Sequence, residues 1–132
     1  MKYVDEFVLT VKKDKIEKYQ KLAEAASKIW KKHGALEYVE CVGEDMDPEI
    51  HNEECKTLTF PEMDKANEDE FVVFAFITYR SREHRDKVNK KVMEDPEMKD
   101  EGKEMPFDFK KMAWGGFKTI VENGGKNKNE FC

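Results

Sequence analysis

The stretch Glu70-Phe71-Val72-Val73-Phe74-Ala75-Phe76-Ile77-Thr78-Tyr79 is the longest apolar run in a chain of 132 residues, of which 40% are charged. It is rich in β-branched and aromatic residues and holds neither Gly nor Pro, which predicts a strand rather than a helix. Strand side chains alternate, so Phe71, Val73, Ala75, Ile77 and Tyr79 line one face and Val72, Phe74, Phe76 and Thr78 the other. Both faces are apolar. A strand of this kind belongs in the middle of a sheet that is covered on both sides.

Working outward, residues 3–11 read as a second two-faced strand. Tyr3, Phe7, Leu9 and Val11 share a face with Asp5, whereas Val4, Val8 and Thr10 share the other with Glu6. If the strand is central, each face receives one carboxylate. Asp14 with Glu17 then predicts a capping box opening a helix. Its apolar stripe is Ile16, Tyr19, Leu22, Ala23, Ala26, Ile29 and Trp30, and His33-Gly34 closes it. Residues 35–42 form a more polar strand, as suits a sheet edge.

Residues 44–69 are an acidic connection containing Pro48 and Pro61, within which Lys56-Thr57-Leu58-Thr59-Phe60 is a candidate to extend the sheet as a short arm. Ser81 is the expected N-cap of a second helix with His84, Val88, Val92 and Met93 on its inner side. Asp95-Pro96 ends that helix and starts a short turn. An apolar loop follows, Met105-Pro106-Phe107-Asp108-Phe109. A fourth strand spans residues 111–121, where Gly115-Gly116 predicts a bulge or a close backbone approach. Residues 1–122 thus form a single domain and residues 123–132 a flexible tail.

The order β-α-β-β-α-β is the split βαβ, or ferredoxin-like, pattern: an α+β fold with a four-stranded antiparallel sheet. Its first and third strands are central. Two helices cover only one sheet face, yet both central strands are apolar on two. The expectation is therefore a homodimer paired sheet to sheet, burying about 1,600 Å² or more in total.

The totals narrow the function classes. A net charge of −5 without a basic, aromatic-interleaved face argues against nucleic acid. No stretch approaches the roughly 20 apolar residues of a membrane span, and residues 1–5 do not begin a signal peptide, so a cytoplasmic protein with no membrane partner is expected. The three cysteines, Cys41, Cys55 and Cys132, are an odd set without C-x-x-C spacing. Neither a disulfide framework nor a metal site is indicated, and no motif calls for a cofactor.

Several segments together carry a resemblance. Tyr3-Val4-Asp5, the run from Trp30 through His33-Gly34 to Glu40-Cys41, and His84-Arg85-Asp86-Lys87-Val88-Asn89 resemble the bacterial YbaA-like family, as do Met93-Glu94-Asp95-Pro96, Met105-Pro106-Phe107-Asp108 and Gly115-Gly116-Phe117. The motifs occur in order over residues 3–121. The resemblance implies a ferredoxin-like subunit paired as a dimeric α/β barrel, and no established reaction. Glu6 and Phe109 stand where the family pattern usually has Gly.

Among polar residues, Asp5 is the first candidate for chemistry. A carboxylate between Tyr3 and Phe7 on a central strand is desolvated, which raises its pKa toward that of a general acid or base; a structural carboxylate bonded to backbone or to a cation is the competing reading. Glu40 and Cys41 are adjacent on a strand and face opposite ways, so they form no dyad. Glu40 suits an edge-strand salt bridge or a ligand contact. His84, Arg85 and Asp108 complete the ligand-binding candidates, with Arg85 pairing with Asp108 or with an acid across the dimer. Trp30 and Trp114 are assigned to the core.

Three functions remain in view, with enzyme status open. The favoured one binds a small polar or anionic molecule in a pocket of the dimeric barrel. The alternatives are a non-catalytic dimeric structural or protein-interaction module and, by fold analogy, a cofactor-independent oxygenase-like enzyme. An apolar pocket above about 300 Å³ with a convergent Asp5 favours a small-molecule site, and a filled barrel with every polar group paired favours the non-catalytic module.

Overall fold

β1 (Tyr3–Lys12) and β3 (Glu70–Tyr79) form the centre of a four-stranded antiparallel sheet ordered β2-β3-β1-β4. The computed structural model describes residues 1–47, 57–98 and 105–124. The two central strands pair along their whole length, Tyr3 against Tyr79, Phe7 against Ala75 and Val11 against Phe71. β2 (Glu37–Val42) borders β3, and β4 (Ala113–Lys118) borders β1.

One face carries the two long helices, α1 (Ile16–Lys32) and α3 (Arg82–Glu94). Leu9, Val11 and Val73 pack there against Tyr19 and Ala23 of α1. Ile77 and Tyr79 pack against Ile29, Val88 and Val92. Met93, expected to turn inward, is 63% exposed, because Val88 and Val92 define the inner stripe and Met93 lies off it. Ser81 caps α3 as expected, its side chain accepting from the His84 backbone N–H.

α1 starts differently from the expectation. Sheet pairing runs to Lys12, and the Lys13 N–H still bonds the Asp69 carbonyl. Lys13–Lys15 then makes a tight 3-10 turn, and α1 opens at Ile16 with no side-chain cap, so Asp14 and Glu17 form no capping box. The end is as read: Gly34 takes φ +114°, and the Ala35 N–H bonds back to the Trp30 carbonyl.

A second correction falls in the acidic connection. Phe60 does not extend the sheet; it opens α2 (Phe60–Asp64). The Thr59 side chain accepts from the Glu62 N–H while the Glu62 carboxylate accepts from the Thr59 N–H, a reciprocal capping box with Pro in the first turn. Lys65, at φ +54°, closes it. Cys55, and the remainder of this connection at 48–56, lie outside the described residues, as do Gly102 and the tail from 125 onward.

The second sheet face carries Val4, Glu6, Val8 and Thr10 of β1 and Val72, Phe74, Phe76 and Thr78 of β3. One end of it is covered within the chain. α2 lies beside β1 and β3, and Thr10 and Val72 at that end are buried. Phe74 and Phe76 stand ring to ring with centroids 6.2 Å apart, both half-buried, and Phe117 of β4 is 52% exposed.

β4 keeps unbroken register with β1 through Gly115 and Gly116. The glycine pair therefore makes a close approach rather than a bulge: a Cβ on Gly116 would run into the Tyr3 ring and hydroxyl. Trp114, assigned to the core from the sequence, is 58% exposed and stacks on Phe7 at 5.9 Å, because its strand is an edge bordered on one side only.

Candidate functional site

A groove of about 390 Å³ opens between α1 and β2. Its α1 wall is the stripe Ile16, Tyr19, Ala23 and Ser27, spaced by three and four residues so that one helical face presents all of them. Its β2 wall is Tyr38, Glu40 and Val42, the alternate residues of an edge strand, with Val73 of β3 beneath.

Glu40 is the polar centre of this groove. The Tyr19 hydroxyl donates to Glu40 Oε1 at 2.6 Å, and the Tyr38 hydroxyl donates to Oε2 at 2.9 Å. Burial raises the Glu40 pKa above the usual carboxylate range, and the two tyrosine donors oppose that rise. Both phenols are held above their ordinary pKa, chiefly by burial and then by the neighbouring carboxylate. Glu40 faces the helices and Cys41 the opposite way, as the alternation requires; Cys41 is exposed.

Asp5 and Arg85 meet elsewhere on the same sheet face. Asp5 is 1% exposed, and Arg85 Nη1 donates to its Oδ1 at 2.5 Å. Arg85 lies over the Tyr3 ring, 5.0 Å from its centroid, and its Nε donates to Asp86 at 2.8 Å. Asn89 also bonds to Asp5, and its Oδ1 accepts from Trp30 Nε1 and from the Tyr79 hydroxyl, each at 3.2 Å. Burial pushes the Asp5 pKa up, against the Arg85 charge and these donors. The guanidinium is always charged. Arg85 and Asp5 meet as an ion pair, and burial works against the charged carboxylate.

The other candidates stand apart. His84 Nδ1 accepts from the Arg80 backbone N–H at 3.0 Å, which leaves the proton on Nε2 beside Gly34. Burial, and then the Arg80 charge, lower its pKa. Asp108 caps the short turn Phe109–Lys111, accepting from the Lys110 N–H at 2.9 Å. The loop before it contributes Phe107, whose ring meets Tyr19 edge-on at 5.9 Å. Arg85 thus finds its acid in Asp5 and Asp86, and the structure brings Asp5 and Arg85 together while leaving Glu40 and Asp108 in separate neighbourhoods.

Sequence reasoning missed the tyrosines beside Glu40. Tyr19 was legible only as one apolar position in a helical stripe and Tyr38 only as a strand residue. Their hydroxyls become significant once α1 is laid across β2. It also missed Asp64, buried at the end of α2, whose Oδ2 is the one buried side-chain oxygen without a partner among the described residues. Burial raises its pKa to about 6, with Lys111 opposing and Glu70 adding to the rise. Glu70 itself accepts from Lys111 at 2.8 Å and from Thr10. Among the described residues, no three His, Cys, Asp or Glu side chains gather into a metal cluster, and no helix is long and apolar enough to cross a membrane.

An α+β subunit with these motifs in this order defines the class. Residues 2–109 match the model of the family described as "Protein of unknown function (DUF1428)", and the chain belongs to that family. It is 44% identical over 122 residues to "Uncharacterized protein YbaA" of Escherichia coli strain K12, covering 92% of this chain and 99% of that relative. The YbaA of Shigella flexneri matches to the same extent.

Proposed function

We propose that this protein binds a small polar molecule in the α1–β2 groove, against Glu40. The observation that carries the reading is the Glu40 carboxylate, half-buried on the wall of a 390 Å³ groove and held in one orientation by the Tyr19 and Tyr38 hydroxyls. That volume falls in the range of small-ligand sites, and a few fixed polar groups among apolar walls are their usual composition. Anionic ligands are disfavoured here. The cation that would have received one, Arg85, is engaged by Asp5 and Asp86, and among the described residues no Lys, Arg or His lines the groove.

The subunit is read as ferredoxin-like and as half of a dimeric α/β barrel. The strand order with β1 and β3 central supports the topology, and the half-buried Phe74 and Phe76 beside exposed Phe117 support pairing through the second sheet face. The acidic, highly charged composition supports a cytoplasmic protein. A carboxylate flanked by two phenols is also able to move a proton, so binding is the function proposed and catalysis is not required by it. An oxygenase-like reaction rests on fold analogy alone. A purely structural dimer would leave the groove without a role.

The reading is tested by protein-detected NMR against a library of small polar fragments. Gln20 of α1 also lines the groove, and binding that shifts the amides around Tyr19, Ala23 and Glu40, and that Gln20→Trp abolishes by filling the groove, supports the reading. Fragments that cluster elsewhere, or nowhere, sink it.

A further inference from the structure

Among the described residues, Glu40 has no countercharge: it makes no ion pair with Lys, Arg or His, and its hydrogen bonds come from two neutral phenols. A carboxylate taken partly out of water ordinarily gains a cation, as Asp5 gains Arg85 and Glu70 gains Lys111 in this same sheet. Each Glu40 oxygen accepts one tyrosine hydrogen, which leaves acceptor capacity on both. The second charged residue of the groove, Glu24, is acidic as well. The remaining lining is mostly apolar, with Ile16, Ala23, Val42 and Val73 flanking the two tyrosine rings, together with Gln20, Ser27 and Cys41.

We infer that the groove takes a cationic ligand, a primary or substituted ammonium group carried on a short apolar body. The inference rests on the groove being a ligand site and adds the class of molecule it selects. The ammonium supplies the charge that Glu40 lacks and donates to its free lone pairs. The tyrosine rings add cation–π attraction. The apolar body lies along Ile16, Ala23 and Val73. An anion in the same place would meet two carboxylates and no cation, and a neutral alcohol would gain only a hydrogen bond.

Three probes of one shape separate these cases: benzylammonium, benzyl alcohol and benzoate, titrated into the intact protein with amide shifts followed by NMR. Benzylammonium is expected to saturate shifts at Tyr19, Ala23 and Val42, to bind about tenfold or more tighter than benzyl alcohol, and to lose that advantage in Glu40→Gln. Benzoate is expected to leave those amides unmoved. A Glu17→Gln variant, altering an exposed acid of α1 outside the groove, should retain the preference, and its loss there would overturn the assignment to Glu40. Thermal melting of each variant reports whether the fold is intact. If benzyl alcohol or benzoate binds the groove as well as benzylammonium does, or if Glu40→Gln binds benzylammonium unchanged, the cationic class is overturned while the groove stands. If none of the three moves the groove amides, both readings fall.

Discussion

The Tyr19 hydroxyl on α1 donates to Glu40 on β2 at 2.6 Å, across the mouth of the α1–β2 groove. This bond fixes the helix against the edge strand and sets the direction of the Glu40 carboxylate in the groove. It also ties the stability of the edge to the state of the site. Tyr19→Phe removes the donor and keeps the ring, including its contact with Phe107. The expected cost is about 0.5–1.5 kcal/mol, with the Glu40 pKa rising further because one of its two opposing donors is gone. Chemical denaturation and a carboxyl NMR titration of Glu40 check the two halves. A Glu40 titration unmoved by the substitution would show that the bond does not govern the site.

Asp5 and Arg85 should behave as a buried ion pair. Arg85→Ala strands a carboxylate that is 1% exposed, and the expected loss is about 3–5 kcal/mol. Asp5→Asn should cost less, since Arg85 keeps Asp86 and the amide still accepts a hydrogen bond. Urea unfolding of the two variants gives the ranking. The reverse order would mean that Asp5 carries more than the pair.

Asp64 gives the clearest pH dependence. Its carboxyl pKa is raised from 3.8 to about 6 in the folded state, so the native protein holds a proton that the unfolded chain has released. Between those values the folded state binds more protons, and stability therefore falls as pH rises from about 4 to about 6, then levels. Asp64→Asn removes the charge while keeping the shape. It should raise stability by roughly 1–3 kcal/mol at pH 7.5 and flatten the slope between pH 4 and 6. Melting curves across that range decide the matter; an unchanged slope would remove Asp64 as its source.

Gly116 is required by a neighbour rather than by its own backbone. A side chain there would displace the Tyr3 ring from beneath Arg85. Gly116→Ala should cost about 1–3 kcal/mol, the usual penalty of overpacking. Gly115→Ala, which meets nothing closer than 3.8 Å, should be tolerated. Comparing the two melting temperatures isolates the contact, and equal values would show that Tyr3 yields freely.

The second sheet face offers a test of pairing. Phe117→Asp places a charge on an apolar surface where Phe117 is now 52% exposed, so the isolated fold should lose little. If two sheets pair there, the variant should sediment as a monomer at micromolar concentrations where the parent is a dimer. A parent that sediments as a monomer would refute the pairing outright.

Much of this protein was legible as sequence because it depends on local order. The two-faced run Glu70–Tyr79 is β3, and it is central. The alternation that put Asp5 and Glu6, or Glu40 and Cys41, on opposite faces follows from the strand period alone. Ser81 and His33-Gly34 mark helix ends through short-range backbone chemistry. Where a stronger pairing competed, local signals lost: the β1–β3 ladder held Lys12 and Lys13, and the helix start slid past Asp14. The T-x-x-E box at Thr59 was equally local and was obscured by a Pro-containing acidic surround.

Which groups share a site was decided only in three dimensions. Tyr19 and Glu40 are 21 positions apart, and Asp5 and Arg85 are 80 apart. No periodicity relates such residues, because their meeting depends on how α1 and α3 lie across the sheet and on what they leave uncovered. The sequence by itself determined the four strands, their faces and the two long helices, but not the short α2. Tertiary packing decided that Asp5 would be given a cation and that Glu40, among the described residues, would not, and that difference in countercharge is the physical reason the groove, rather than the Asp5 pair, is the place to look for a ligand.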